Sequence, residues 1–70
     1  MWRHDELTDA ELFDLLRRRA IKLAGNRRAH IYGRLECASG KRLLRRNRVF
    51  FRSEQEALAQ GYRPCLNCMR

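Results

Sequence analysis

The residues with the clearest capacity for chemistry are two cysteines near the end of the chain, in Cys65-Leu66-Asn67-Cys68. A C-x-x-C turn places both sulfurs on one side of a tight loop, where they can bind a single metal ion at about 2.3 Å each. A redox pair of this kind usually opens a helix in a thioredoxin-like domain, and 70 residues are too few for that fold. Three unrelated buried thiols are the other alternative. We expect a metal site, and zinc as its metal.

The sequence offers three cysteines and two histidines as ligands for this metal. A structural zinc normally has four protein ligands, and Cys37 is the third thiolate beside the C-x-x-C pair. The fourth ligand is then His4 or His30, with water as the remaining alternative. We favour His4, because it lies in a terminal segment that is free to fold onto the site, whereas a strand can turn His30 to either face. One zinc per chain would stabilise a domain too small to bury a large core.

The basic residues are concentrated in the middle of the chain. Sixteen Lys and Arg against eight Asp and Glu give a net charge of +8, and residues 17–52 hold thirteen of the basic side chains with Glu36 as their one acidic residue. Guanidinium groups match phosphate oxygens, and few stacking aromatic residues are interleaved with them, so we expect contact with a nucleic-acid backbone rather than reading of bases. A solvated basic surface is the alternative. The residues expected to contact nucleic acid are Arg27, Arg28, Lys41, Arg42, Arg45, Arg46 and Arg48.

Two helices are predicted from their capping residues. Thr8 and Glu11 have the spacing of a capping box, and apolar residues at helical spacing follow them, which predicts a helix over residues 8–19. Ser53 and Glu56 repeat the same spacing and open a second, shorter helix. A C-terminal cap is expected at Gly61.

Between the helices the pattern predicts short strands. Candidates lie at 21–23, at 30–32 and in a hairpin from Leu43 to Phe51. The chain therefore forms one α+β domain over residues 1–70, with an N-terminal helix, a short antiparallel sheet, a second helix and a C-terminal C-x-x-C knuckle. No apolar run is long enough to span a bilayer, and the N-terminus lacks the pattern of a secretory signal, so we expect a cytoplasmic monomer.

The C-terminal half resembles a known family. A phenylalanine strand, a capped helix carrying Glu-Ala-Leu, and then Gly61-Tyr62-Arg63-Pro64-Cys65-x-x-Cys68 resemble the end of the zinc domain of the Ada DNA-alkylation repair protein. The resemblance is specific over residues 47–68, looser over 30–46 and absent from the N-terminal helix. The whole chain also resembles small stand-alone bacterial Ada-like metal-binding proteins. The resemblance implies that residues 30–70 form the metal-binding core of the domain.

The resemblance implies a chemistry for Cys37. In the Ada domain a zinc bound by four cysteines activates the first of them, which accepts a methyl group from a DNA methylphosphotriester, and the methylated domain then binds promoter DNA better. If this chemistry is carried over to the present chain, the resemblance implies that Cys37 is the methyl acceptor and that Cys65 and Cys68 are ligands that do not react. The family's second ligand falls on Lys41, a departure that leaves a less negative metal centre and a poorer nucleophile.

The sequence and the resemblance together give three alternative hypotheses for the function. The first is a zinc domain that binds nucleic acid, through its arginines, in DNA repair or transcription regulation and without turnover. The second is a stoichiometric methyl acceptor acting through Cys37. The third is a protein-interaction adaptor in which an acidic first helix and a basic body surround a purely structural zinc.

Overall fold

A mixed five-stranded sheet forms the centre of the molecule, in a computed structural model that describes residues 1–36, 43–66 and 68. The strands are β1 (Trp2–Arg3), β2 (Leu23–Asn26), β3 (Ile31–Arg34), β4 (Arg48–Phe51) and β5 (Arg63–Pro64). Across the sheet they lie in the order β1-β4-β2-β3-β5. The predicted α+β class is confirmed.

One pairing departs from the antiparallel sheet that the sequence predicts. β5 runs parallel to β3, with Ile31 opposite Arg63 and Tyr32 opposite Pro64, while the other pairs are antiparallel. The cause is the helix between β4 and β5. Parallel strands need a crossover connection, and the chain crosses over β2 and β3 through this helix before it forms β5.

The first helix, α1 (Asp9–Arg17), begins with the predicted capping box. The Glu11 backbone N–H donates to Thr8 Oγ1 at 3.1 Å, and Thr8 N–H donates to Glu11 Oε1 at 2.9 Å. The helix ends two residues earlier than residues 8–19 imply, because Arg19 has a φ of 58°. A left-handed backbone cannot continue an α-helix.

The second helix, α2 (Glu54–Ala59), also begins and ends where the sequence predicts. The hydroxyl of Ser53 accepts the Glu56 N–H at 3.2 Å, and Gly61 has a φ of +82° just beyond the last turn. A left-handed residue in this position is the usual end of a helix, and glycine adopts it without steric cost.

The apolar core lies on both faces of the sheet. One face, here the α1 face, buries Ile21, Ala24 and Phe50 against side chains of α1. The other, the α2 face, buries Tyr32, Val49, Phe51, Ala57 and Tyr62. Because side chains alternate along a strand, neighbouring residues Val49 and Phe50 serve opposite faces.

Two segments differ from the predicted strands. Trp2 and Arg3 form the edge strand β1 by pairing with Phe50 and Val49, so the expected mobile terminus belongs to the sheet. The predicted hairpin partner of β4 is instead a 3₁₀ turn, Arg45–Asn47, and β4 pairs with β1 and β2. Among the described residues, no helix has the length and apolar character needed to cross a membrane.

Candidate metal centre and basic surface

The two C-terminal cysteines lie beside the end of β3. Cys65 N–H donates to the Tyr32 carbonyl at 2.7 Å, which continues the β3–β5 pairing by one residue. The chain then turns, and the Arg34 backbone N–H donates to Cys68 Sγ at 3.4 Å. Both cysteines are partly buried. The structure therefore attaches each cysteine to β3 through one backbone hydrogen bond.

Gly33 makes room for this turn. A Cβ at position 33 would lie 2.9 Å from Cys68 Sγ and 3.2 Å from Cys65 Cβ, closer than side chains normally approach. Any larger residue would therefore push the cysteine turn away from β3. The sequence analysis did not select Gly33 as a site residue, although a glycine inside a strand often marks such a close approach.

The arrangement of Cys65 and Cys68 fits a thiolate-bound zinc. Zinc prefers sulfur and nitrogen donors, and a backbone N–H directed at a ligating sulfur stabilises its thiolate form. Cys37, the predicted third ligand, lies outside the described residues. Within residues 1–36, 43–66 and 68, no group of three His, Cys, Asp or Glu side chains is arranged to hold a metal.

His4, the favoured fourth ligand, lies at the far edge of the sheet. It follows β1, and its ring centroid is 5.3 Å from that of Phe50. Since adjacent strands are about 4.8 Å apart, the four steps from β1 to β5 correspond to about 19 Å. The position of His4 gives no support to a shared site with Cys65 and Cys68.

His30 is nearer to the cysteines but lies at the other end of β3. It occupies the turn before the strand with a φ of 58°, and its ring stacks on Tyr62 at 5.0 Å. Gly33 is three positions after His30, which corresponds to a rise of about 10 Å along a strand. The stacking holds the imidazole beside Tyr62 rather than beside the sulfurs.

Two arginine-rich segments, distant in sequence, meet at the end of the sheet where β3 begins. The Arg27 N–H donates to the Asn47 carbonyl at 2.7 Å, and Arg27 Nη2 donates to the Arg46 carbonyl at 2.7 Å. These bonds join the turn after β2 to the 3₁₀ turn before β4. We call the resulting surface the basic end; its members are Arg27, Arg28, Arg45, Arg46 and Arg48. The other two predicted contacts, Lys41 and Arg42, lie outside the described residues.

The turn after β2 is shaped by Asn26. Its side-chain Oδ1 accepts the backbone N–H groups of Arg28 at 3.0 Å and Ala29 at 3.2 Å. An asparagine that accepts from the following residues in this way fixes a tight turn. Arg28 is consequently held at the tip with its side chain exposed.

Two arginines of the basic end have different surroundings. Arg45 is exposed and forms an ion pair with Asp9 at 2.8 Å. Arg48 is half-buried, with its guanidinium carbon 5.4 Å from the centroid of the Phe50 ring, and burial lowers its pKa from the ordinary value. An arginine stays charged even so, so Arg48 places a poorly hydrated cation near the surface.

Comparison with known proteins agrees with a metal-binding domain. A family model described as the metal binding domain of Ada matches residues 19–70. The solved structure described as the refined structure of the DNA methyl phosphotriester repair domain of E. coli Ada is similar, with a TM-score of 0.63 and 32% sequence identity. The match covers 90% of this chain and 73% of that one, so it extends beyond the residues 47–68 that carry the specific resemblance. No curated protein sequence gave a match. The chain belongs to the family of the metal binding domain of Ada.

Proposed function

We propose that this protein, a zinc-binding domain of the Ada family, binds DNA through its basic end in a DNA-repair context. The observation that carries the proposal is the joining of two arginine-rich turns by the hydrogen bonds of Arg27. They hold five arginines at one end of a rigid sheet. Because the two turns are joined, several guanidinium groups can contact one phosphate backbone at the same time.

For the metal, we propose Cys37, Cys65 and Cys68 as ligands of one zinc ion. The hydrogen bonds of Cys65 and Cys68 to β3, and the space at Gly33, support the two C-terminal members of this set. A bound zinc would link these two to the segment that follows β3. It would thereby add the stability that a domain of this size needs.

The DNA proposal is tested by measuring affinity for a duplex oligonucleotide over a range of salt concentrations. We expect Arg28→Gln and Arg46→Gln each to reduce the slope of log K against log salt by about 1. Arg17→Gln is the matched control, because it removes the same charge from α1 at a distance from the basic end. Equal effects of all three variants, or an absence of DNA binding, would contradict the proposal and favour the adaptor function.

A second candidate function is favoured by the similarity to a methyl phosphotriester repair domain. The Cys37 thiolate would attack the methyl carbon of the triester. A carbon–sulfur bond forms as the oxygen–methyl bond breaks, and the phosphodiester anion leaves with the electron pair. Because the thioether is stable, each molecule would react once. Intact mass measurement after incubation with methylphosphotriester DNA decides the point: a gain of one methyl group on the wild type and none on Cys37→Ser supports it, and no gain on either excludes it.

A further inference from the structure

Two buried side-chain nitrogens without a hydrogen-bond partner, His4 Nδ1 and Arg48 Nε, lie next to each other at the β1 edge of the sheet. A third among the described residues, Arg3 Nε, already forms an ion pair with Glu6 Oε1 at 3.4 Å. Arg3 is opposite Val49 in the β1–β4 pairing, so the next position along the edge brings His4 beside Arg48. A buried polar nitrogen without a partner lowers stability, and its usual explanation is a ligand or water that completes it. This edge of the sheet is therefore a candidate binding site.

His4 and Arg48 share one buried neighbour. The His4 ring is 5.3 Å from the Phe50 ring, and the Arg48 guanidinium carbon is 5.4 Å from it. Phe50 itself is 2% exposed and belongs to the core of the α1 face. Both polar side chains therefore rest on a fixed apolar surface. This support limits the entropy that they would lose on binding a ligand.

The local charge favours an anion. Arg3 already pairs with Asp5 and Glu6, but Arg48 forms no ion pair with any described residue. The pKa of His4 is lowered by burial and, in addition, by Arg45 and Arg48, whose effects oppose those of Asp9 and Asp5. Two cations, Arg45 and Arg48, therefore lie close enough to His4 to act on its charge. Arg48 has no ion-pair partner among the described residues, and the only one of Arg45 among them is the exposed Asp9.

We propose that His4 and Arg48 bind one phosphate group of the DNA backbone, with Arg45 as a third contact. The site rests on the proposed DNA binding and extends the basic end to the β1 edge. Phosphate oxygens accept from guanidinium and imidazole N–H groups, and the side chains of His4 and Arg48 are both partly exposed, so one phosphate at the β1 edge can accept from both. The Arg45–Asp9 ion pair is exposed and therefore weak, so Arg45 can exchange Asp9 for the phosphate.

The first test titrates the zinc-loaded wild-type protein with inorganic phosphate and follows backbone amide shifts by NMR. We expect saturable shifts at residues 3–6 and 45–50. Shifts confined to other parts of the chain, or none that saturate, would overturn the site. This test uses no substituted protein, so it stands even if a variant fails to fold.

The second test compares the DNA affinity of His4→Ala and Arg48→Lys with that of Arg28→Gln. Arg48→Lys keeps the charge but loses the Nε donor, and we expect about threefold to tenfold weaker binding, as the loss of one phosphate hydrogen bond implies. His4→Ala should weaken DNA binding similarly while the bound zinc is retained. If His4→Ala loses zinc, His4 is a metal ligand and the phosphate site is wrong.

The outcomes for the site and for DNA binding are separable. Wild-type affinity in His4→Ala and Arg48→Lys, with a loss in Arg28→Gln, would refute the phosphate site and leave the basic end intact. If the wild type binds inorganic phosphate at residues 3–6 but does not bind DNA, the site does not serve a DNA phosphate, and the proposed function is refuted as well.

Discussion

The sulfur of Cys68 lies over the α-carbon position of Gly33, where an added Cβ would be 2.9 Å away. The same sulfur accepts the backbone N–H of Arg34 at 3.4 Å. Two adjacent residues of β3 therefore set the position of the C-x-x-C turn, one by leaving space and one by donating a hydrogen bond. Ligand geometry at the proposed zinc site depends on this strand as much as on the cysteines.

Replacing Gly33 should weaken zinc binding. In Gly33→Ala, the new Cβ forces Cys68 away from the Arg34 N–H, and we expect zinc affinity to fall by about tenfold to a hundredfold, as for other residues that orient metal ligands. Competition with a chelator of known affinity measures the change. Gly61→Ala is the control: its Cβ would meet nothing within 4 Å, but its φ of +82° is unfavourable for alanine. It should cost about 1–2 kcal/mol of stability and leave zinc affinity unchanged.

Removing a ligand or the metal should destabilise the whole domain. Cys65→Ser replaces a thiolate by a weaker zinc donor, and we expect loss of zinc and a fall of several degrees or more in the melting temperature. Treatment of the wild type with a strong chelator should have a similar effect, because the substitution and the chelator both remove the zinc that would join the cysteine ligands. Native mass spectrometry and circular dichroism measure the two quantities. A chelated protein that melts like the untreated one would contradict a structural role for zinc.

The two histidines give a direct test of the fourth ligand. The positions of His4 beside Phe50 and of His30 beside Tyr62 predict that neither His4→Ala nor His30→Ala loses zinc. The metal content of each variant after dialysis against a weak chelator provides the measurement. Loss of zinc from one variant alone would identify that histidine as the ligand and require it to move from its place in the structure.

Buried Tyr32 should make the protein sensitive to high pH. Its hydroxyl donates to Glu54 Oε2 at 2.8 Å; burial, and then this carboxylate, raise the pKa of Tyr32 above its ordinary value. The folded state therefore holds the proton more tightly than the unfolded state does. The contribution to stability is complete below a pH of about 10 and is lost as the pH rises through the folded-state pKa.

Tyr32→Phe tests this contribution. At neutral pH it should cost about 1 kcal/mol, the worth of one hydrogen bond. Urea unfolding at pH 8 and at pH 10.5 should show a smaller loss of stability with pH in Tyr32→Phe than in the wild type. An identical pH dependence in the two proteins would show that the proton on Tyr32 does not contribute.

Local sequence determined the parts of the structure that depend on nearest neighbours. Thr8 with Glu11 and Ser53 with Glu56 cap their helices as expected, because a capping residue and its partner are only three positions apart. Gly61 ends α2 for an equally local reason. The C-x-x-C spacing indicated a metal site from four residues alone, and the family comparison agrees with it.

Tertiary structure decided what depends on the order of strands. The sequence cannot show that residues 2–3 pair with β4, because an edge strand of two residues has too little pattern to be recognised. That pairing places His4 at the opposite edge from Cys65, and the crossover through α2 brings Cys68 onto Gly33. The arginines were predictable as a class from charge. Their assembly into one surface required the long-range hydrogen bonds of Arg27, which connect segments about twenty residues apart and leave no trace in local spacing.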